Sequence, residues 1–221
     1  MARKKREWYP GATYHVMSRG NRQKAIFKDV DDYIQFLNYI KLVQEKYPFK
    51  LHAYCLMTNH FHLEIETEQD EIWKIMQKIL ALYSSEFNHK YKYVGHVFQG
   101  RYVSSIIEDD TYFLEVSRYI HLNPVKAGMV REALDYKYSS YGKYMDVNLN
   151  NKLGDVCDVV TEKTLGLFGK RGKEGYRMFV EGKQSHEEKE LLIMNTLVPD
   201  PITKMLQMDG NEKLLINEKG N

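Results

Sequence analysis

Cysteine is nearly absent from this 221-residue chain, which contains only Cys55 and Cys157, far apart in the sequence. Two distant cysteines exclude a disulfide framework and a cysteine-rich zinc site, and they fit a reducing cytosol. Long apolar runs are also missing, since none approaches the roughly 18 residues of a membrane span, and no signal-peptide pattern is found. We therefore expect a cytoplasmic protein of one large or two small domains, with no membrane partner.

A strong net charge is lacking as well, because 32 Lys and Arg side chains against 30 Asp and Glu leave only +2. The charge is unevenly spread, since residues 1–28 contain eight basic side chains and a single acidic one, Glu7. The basic residues are Arg3, Lys4, Lys5, Arg6, Arg19, Arg22, Lys24 and Lys28. A basic arm on a mildly acidic body is typical of nucleic-acid-binding proteins, and a solubilising tail explains it equally well.

A smaller basic cluster follows the first predicted strand, which covers residues 13–19 and ends at a Gly-Asn-Arg turn. Arg19, Arg22 and Lys24 lie at the strand end and in the loop after it. Such a cluster can bind a phosphate backbone, and a solvated loop is nearly as good an explanation.

The clearest alternation of polar and apolar residues lies at positions 60–67. The polar set is His60, His62, Glu64 and Glu66, and the apolar set is Phe61, Leu63 and Ile65. In a β-strand these sets face opposite sides, so the apolar side can close a core and the polar side can hold a divalent metal. A pair of strand histidines without any ligand is the commoner case, so this motif alone leaves both interpretations open.

The predicted elements follow the order β-α-β-β-α-β with one further helix. Strands are predicted at 13–19, 49–57, 60–67 and about 102–107, and helices at 29–46, 71–89 and 108–123. This order indicates an α+β protein with a ferredoxin-like antiparallel sheet and two helices on one face. The histidine face is then open unless the last helix crosses it.

The strand at 49–57 is apolar at every odd position. These positions are Phe49, Leu51, Ala53, Cys55 and Met57. Strict alternation therefore predicts that all of them face the helix-covered side of the sheet, and that His52 faces the histidine side.

The last helix is the one that can bring further chemistry to the histidines. Tyr112, Glu115, Tyr119 and Asn123 form one stripe along it. Pro124 disfavours helical backbone at Asn123, so we expect the helix to end there. A tyrosine and an amide one turn apart could reach the histidine pair, although spacing alone favours a simply packed tyrosine at 119.

Three blocks, at 13–22, 57–63 and 117–130, together resemble the signature of the single-tyrosine HUH transposases. They are TYHVMSRGNR, MTNHFHL and SRYIHLNPVKAGMV. The resemblance is closest to the REP-associated tyrosine transposases and spans roughly residues 8–145. Residues 161–182 are similar to C-terminal extensions of longer relatives.

The resemblance implies a role for each matching residue. Tyr119 matches the nucleophile that attacks single-stranded DNA and leaves a 5′-phosphotyrosine and a free 3′-OH. His60 and His62 match the metal-binding pair and Asn123 the third ligand, with Mg²⁺ or Mn²⁺ as the cofactor. Glu64 departs from the family pattern, which is usually apolar here. It could be a fourth ligand, a residue bonded to a ligand or a surface residue.

The implied protein is a metal-dependent endonuclease and transposase acting on single-stranded DNA that carries hairpins or palindromic repeats. A non-catalytic hairpin-binding regulator or domesticated relative is the alternative, but binding alone would not require the histidines, the tyrosine and the amide together. Some relatives form homodimers that share the tyrosine helix and others act as monomers, so both states stay open.

Three segments are predicted along the chain. Residues 1–145 form the catalytic domain, including the basic arm at 1–12, and residues 146–154 form a polar linker. Residues 155–221 form a small helical extension, which either contacts DNA or packs against the catalytic domain. Its basic residues are Lys170, Arg171 and Lys173.

Overall fold

The structure is a computed structural model, and it describes residues 8–147 and 156–182 of the chain. Four of the predicted DNA-binding residues lie outside the described residues, namely Arg3, Lys4, Lys5 and Arg6. Most of the predicted linker and the end of the predicted extension lie outside them too. The three segment boundaries therefore stay predictions.

The elements follow the predicted order. The strands are β1 (Thr13–Arg19), β2 (Phe49–Met57), β3 (His60–Thr67) and β4 (Val103–Ile107). The helices are α1 (Val30–Lys46), α2 (Ile72–Tyr91), α3 (Asp110–Lys126), α4 (Tyr141–Tyr144), α5 (Glu162–Gly166) and α6 (Gly172–Glu181). Short 3₁₀ turns lie at Asn21–Gln23, Ala133–Asp135 and Gly169–Arg171.

The four strands form one sheet in the order β2-β3-β1-β4, and every neighbouring pair is antiparallel. This is the split βαβ arrangement, so the predicted ferredoxin-like fold is confirmed. In the register of β1 against β3, Met17 lies opposite His62 and Arg19 lies opposite His60.

The helices α1 and α2 cover one face of the sheet. Asp29 begins α1 with a capping box, in which its side chain accepts a hydrogen bond from the Asp32 backbone N–H at 3.1 Å. Phe36 of α1 packs against Phe61 of β3 and Tyr83 of α2, with ring centroids 4.8 and 5.1 Å apart. Fully burying each such ring contributes about 1.5–3 kcal/mol, so this layer forms the main core.

The strand β2 departs from the predicted alternation, because a bulge shifts its register between Leu51 and Ala53. Before the bulge the odd positions face α1 and α2, and after it they face α3. The prediction of a single apolar face is therefore wrong for Ala53, Cys55 and Met57. The extra residue is His52, whose backbone oxygen accepts a hydrogen bond from Tyr144 Oη at 2.6 Å.

The helix α3 crosses the other face of the sheet. Its buried side chains Phe113, Val116 and Ile120 pack on the odd-numbered residues of β2 beyond the bulge. The predicted end at Asn123 is wrong, since the helix continues through Pro124 to Lys126. Proline removes one helical N–H donor, and the backbone oxygens of Asn123 and Pro124 still accept bonds from the N–H groups of residues 127 and 129, each at 2.9 Å.

The described part of the C-terminal extension packs against the outer side of α3. Tyr176 of α6 places its hydroxyl 2.6 Å from Ser117 Oγ and 2.7 Å from His121 Nδ1. Lys173 forms an ion pair with Asp146 at 2.7 Å. Packing is thus what the structure shows for this segment, and a contact between it and DNA stays a prediction. None of the helices that the structure describes has the length and apolar character of a membrane span.

Candidate active site

The two histidines of β3 lie on the face that α3 covers, as the alternation predicts. His62 is fully buried and His60 is half-buried, with ring centroids 5.1 Å apart and ring planes at 89°. The histidine pair therefore lies at the edge of the contact between sheet and helix, with one imidazole inside and one toward solvent.

Tyr119 of α3 lies directly over the buried histidine. Its ring centroid is 5.4 Å from that of His62 and 5.7 Å from that of His15 on β1, in edge-to-face geometry. The Nζ of Lys126 lies 4.8 Å from the centroid of the same tyrosine ring. The structure thus brings the predicted nucleophile to the predicted metal-binding histidines within one chain, beside a positive charge.

Asn123 lies one helical turn after Tyr119 and is buried. Its side-chain Nδ2 donates a hydrogen bond to the Tyr119 backbone oxygen at 2.8 Å. Because the amide nitrogen is engaged, the carbonyl oxygen Oδ1 is the atom that this side chain can offer to a ligand.

Both histidines are held through their Nδ1 atoms. His60 Nδ1 lies 2.7 Å from Asn59 Oδ1, and His62 Nδ1 lies 3.0 Å from His15 Nε2. Burial, with a smaller contribution from His60, His15 and Lys126, lowers the pKa of His62 well below its usual range. Burial also lowers the pKa of His15 to about 4. The imidazoles of His62 and His15 are therefore neutral at pH 7, and the neutral form of His62 is the one that can bind a metal.

The donor atoms fit a divalent metal. The buried His62 Nε2 has no hydrogen-bond partner within residues 8–147 and 156–182, and it is the ring atom that would bind a metal. Two imidazoles and an amide oxygen suit Mn²⁺ at least as well as Mg²⁺, which prefers oxygen ligands. In the described segments, no three His, Cys, Asp or Glu side chains group closely enough to hold a metal. The arrangement therefore relies on Asn123.

Glu64 shares the strand face of the two histidines but does not form a metal-binding group with them in the described residues. It is fully buried, so its interpretation as a surface residue is wrong, and neither carboxyl oxygen has a hydrogen-bond partner in the described structure. Burial raises the pKa of Glu64 well above its usual value, despite the charge of Lys163. Burial therefore favours the protonated form of this carboxyl group, which lies near Lys163, Tyr144 and Tyr176.

Three of the basic residues predicted to bind DNA lie at the end of β1 and in the loop that follows it. Arg19 lies opposite His60 at the end of β1, and Arg22 and Lys24 are exposed in the loop that follows. The Arg19 backbone oxygen accepts a bond from the Gln99 N–H at 2.8 Å, which ties the segment after α2 to this loop. We call Arg19, Arg22 and Lys24, together with exposed Arg101 of that segment, the basic rim.

The start of the basic-rim loop requires a glycine. Gly20 donates a backbone hydrogen bond to the Asn59 oxygen at 2.8 Å, and a Cβ on it would collide with the Lys24 backbone oxygen and lie 2.9 Å from Ile26 Cγ2. We expect Gly20→Ala to lower the free energy of unfolding by about 1–3 kcal/mol, measured by urea denaturation. Gly166→Ala is the control, because a Cβ there meets nothing within 4 Å. Equal losses in both variants would contradict this steric explanation.

Two residues of the site were not predicted from the sequence, namely His15 and Lys126. Each lies inside one of the three signature blocks, at 13–22 and 117–130, which is the only signal that could have pointed to them. The register between β1 and β3, and the continuation of α3 past Pro124, were needed to place them.

The site thus consists of a ferredoxin-like sheet whose paired strand histidines face a tyrosine on a helix. The family model described as "Transposase IS200 like" matches residues 9–123, which is more than half of the chain. The chain belongs to the IS200-like transposase family.

Two proteins that are similar to this chain are named as REP-associated tyrosine transposases. A protein of Haemophilus influenzae named as a REP-associated tyrosine transposase is 32% identical over 123 residues, covering 50% of this chain and 69% of that protein. A solved structure of a REP-associated tyrosine transposase bound to a REP hairpin superimposes with a TM-score of 0.57 at 21% identity. That match covers 72% of this chain and 94% of the other, and it shows the shared fold.

Proposed function

We propose that the protein is a metal-dependent endonuclease and transposase that cleaves and rejoins single-stranded DNA near hairpins through a 5′-phosphotyrosine. The observation that carries this proposal is the position of Tyr119, whose ring stands edge-on to His62 at 5.4 Å between centroids. His62 Nε2 is buried and has no hydrogen-bond partner in the described residues, which a metal site explains and simple packing of the tyrosine does not.

The reaction that this tyrosine can perform is a transesterification. The Tyr119 oxygen forms a bond to the phosphorus, the bond from phosphorus to the 3′ oxygen breaks, and that oxygen leaves as a 3′-OH. The phenol loses the proton and the leaving 3′ oxygen gains one, so the step is balanced. The phosphotyrosine bond conserves the energy of the DNA backbone, and a 3′-OH can later attack it to rejoin the strands.

The residues around the tyrosine prepare this step. His60, His62 and Asn123 would hold Mg²⁺ or Mn²⁺, which when bound neutralises the scissile phosphate as a Lewis acid. Lys126 places a further positive charge beside the tyrosine ring, where an anionic phosphodiester would arrive. Because α3 covers the sheet and His62 is buried, bulk water is kept from the inner side of the site.

The basic rim and the relatives support a DNA substrate with a hairpin. Arg22, Lys24 and Arg101 are exposed and can bind the phosphates of a DNA strand that enters the site at His60. A relative of the same fold is described as bound to a REP hairpin, and we extend that substrate class to this chain. Such a substrate agrees with the expected cytoplasmic location. Tyr119 lies beside the histidines of its own chain, which supports cleavage within one chain, and the homodimer stays a prediction.

Removal of the metal is the direct test of the proposal. With a labelled single strand that carries an imperfect palindrome, we expect Mn²⁺ to support cleavage and EDTA to slow it about 100-fold or more. The double variant His60→Ala with His62→Ala should lose cleavage equally and keep hairpin binding within a few-fold in a gel-shift assay. The measurement is the cleaved fraction over time.

Two other outcomes would change the conclusion. Cleavage that persists in EDTA would exclude metal dependence. Tight hairpin binding without cleavage, in the wild-type protein under every metal condition, would instead establish the alternative of a non-catalytic regulator.

A further inference from the structure

We propose that His15 is the positioning residue that holds His62 in its metal-binding tautomer. This inference rests on the proposed metal site, and it extends that site to a strand outside the histidine motif. His15 lies on β1, is buried, and faces the same side of the sheet as His62.

The contact between the two rings is specific. His15 Nε2 lies 3.0 Å from His62 Nδ1, and the ring centroids are 5.2 Å apart with planes tilted by 30°. The direct cross-strand neighbour of His62 is Met17, whereas His15 is paired with Glu64. The imidazole of His15 therefore reaches diagonally across the strands to meet its partner, within the distance that such pairs span.

The direction of this hydrogen bond follows from the surroundings of the opposite nitrogen. An imidazole that binds a metal is neutral and has one proton, and only one of the two facing nitrogens can donate. If His15 donated, His62 would carry its proton on Nε2, which has no hydrogen-bond partner in the described chain. A proton on Nε2 would be buried without an acceptor and would block the lone pair that binds the metal. We infer that His62 Nδ1–H donates to His15 Nε2.

As a consequence, the ring of His62 has the tautomer and the orientation that metal binding requires in the metal-free protein. With the proton on Nδ1, the lone pair of Nε2 is exposed to the site, and the ring cannot rotate without losing its bond to His15. Partners of this kind on a ligating histidine affect metal affinity by about 10–100-fold. His60 has the same arrangement with Asn59 Oδ1, so each histidine of the motif is oriented by a neighbour.

Two substitutions separate the hydrogen bond from the packing. His15→Phe keeps a flat ring against Tyr119 and removes the acceptor, and His15→Gln offers an amide oxygen near the position of Nε2. The tautomer of His62 is measured by long-range ¹H–¹⁵N NMR on metal-free protein, with its ring signals assigned from a His62→Asn variant. We expect the Nδ1–H form in the wild type and in His15→Gln, and loss of that preference in His15→Phe.

Metal affinity gives a second measurement. By titration calorimetry with MnCl₂, we expect His15→Phe to bind Mn²⁺ about 10–100-fold more weakly than the wild type, and His15→Gln to bind within a few-fold of it. His60→Ala serves as the reference for a lost ligand. Equal affinity in the wild type and His15→Phe would overturn the positioning role.

The two hypotheses fail in different ways. A wild-type protein that binds no Mn²⁺ would contradict the proposed metal site, and the NMR measurement would still test the hydrogen bond. An Nε2–H tautomer of His62 in the metal-free wild type would overturn the inference about His15, and this result requires no variant that folds.

Discussion

Tyr119→Phe is expected to abolish the covalent protein–DNA adduct, with a fall in its rate of formation on the order of 10⁴-fold or more. Phenylalanine keeps the ring that packs on His62 and lies near the Nζ of Lys126, so the site should keep its shape. What is lost is the phenolic oxygen, and no other atom of that side chain can form the bond to phosphorus. The adduct is measured as a slow-migrating labelled band on a denaturing gel.

Tyr112→Phe is the matched control. Tyr112 lies on α3 seven residues earlier and is half-buried on the same predicted stripe. Its ring packs on the cluster beneath the helix, and we expect this variant to form the adduct at the wild-type rate. If the adduct persisted in Tyr119→Phe and disappeared in Tyr112→Phe, the nucleophile would be the earlier tyrosine. Peptide mass spectrometry of the adduct would confirm the modified residue independently.

Glu64→Gln is expected to stabilise the metal-free protein increasingly as the pH rises above about 4.5. Burial raises the pKa of Glu64 in the folded state above its value of 4.5 in the unfolded chain. Between these two values the unfolded chain releases the proton and the folded protein keeps it, so stability falls with rising pH by up to about 1.4 kcal/mol per unit. Glutamine has no proton to lose, so this loss is absent in the variant.

Glu66→Gln provides the opposite sign on the same strand. Although burial alone raises the pKa of Glu66, its bonds with Lys50, Lys163 and His52 lower it to about 2. Its stabilising effect is therefore fully present above the unfolded value of 4.5 and is lost as the pH falls toward 2. We expect Glu66→Gln to destabilise the protein at pH 7, by less than a fully buried pair would, because the site is partly open to solvent.

The two glutamate variants are compared by urea unfolding in EDTA from pH 4 to 8. Histidines with lowered pKa values also change stability over this range, and subtracting the wild-type curve removes their contribution. A Glu64→Gln curve parallel to that of the wild type would contradict the buried neutral carboxyl. Difference curves of the same sign for both variants would contradict the opposite pKa shifts of the two carboxyl groups.

The histidine face of β3 was predictable because strand alternation depends only on local backbone geometry. His60, His62 and Glu64 do share that face, and the position of Tyr119 over it followed from the order of the elements. The burial of Glu64 was not predictable, because the side chains near its carboxyl group, Tyr144, Lys163 and Tyr176, are distant in the sequence.

The predictions for β2 and for the end of α3 were also wrong, because both features depend on residues outside the local pattern. The bulge at His52 is held by Tyr144 and by the Val160 oxygen, which lies 3.2 Å from His52 Nδ1, and neither is a neighbour in sequence. The rule that the residue before a proline ends a helix places the end of α3 at Asn123, whereas α3 ends at Lys126 and Gly128, with a φ of +68°, is the left-handed residue that follows. In both cases the element was predicted correctly as a strand or a helix, and only its register or its end was wrong.

The bulge in β2 also has a consequence for the cooperativity of unfolding. The bulge at His52 reverses the faces of the strand. The odd-numbered residues before it pack in the core under α1 and α2, and those after it pack against α3. One continuous backbone thus forms part of both layers, and neither layer can open without releasing hydrogen bonds that the other uses. We therefore expect α3, the helix that contains Tyr119, to unfold together with the sheet in a single cooperative transition of the domain.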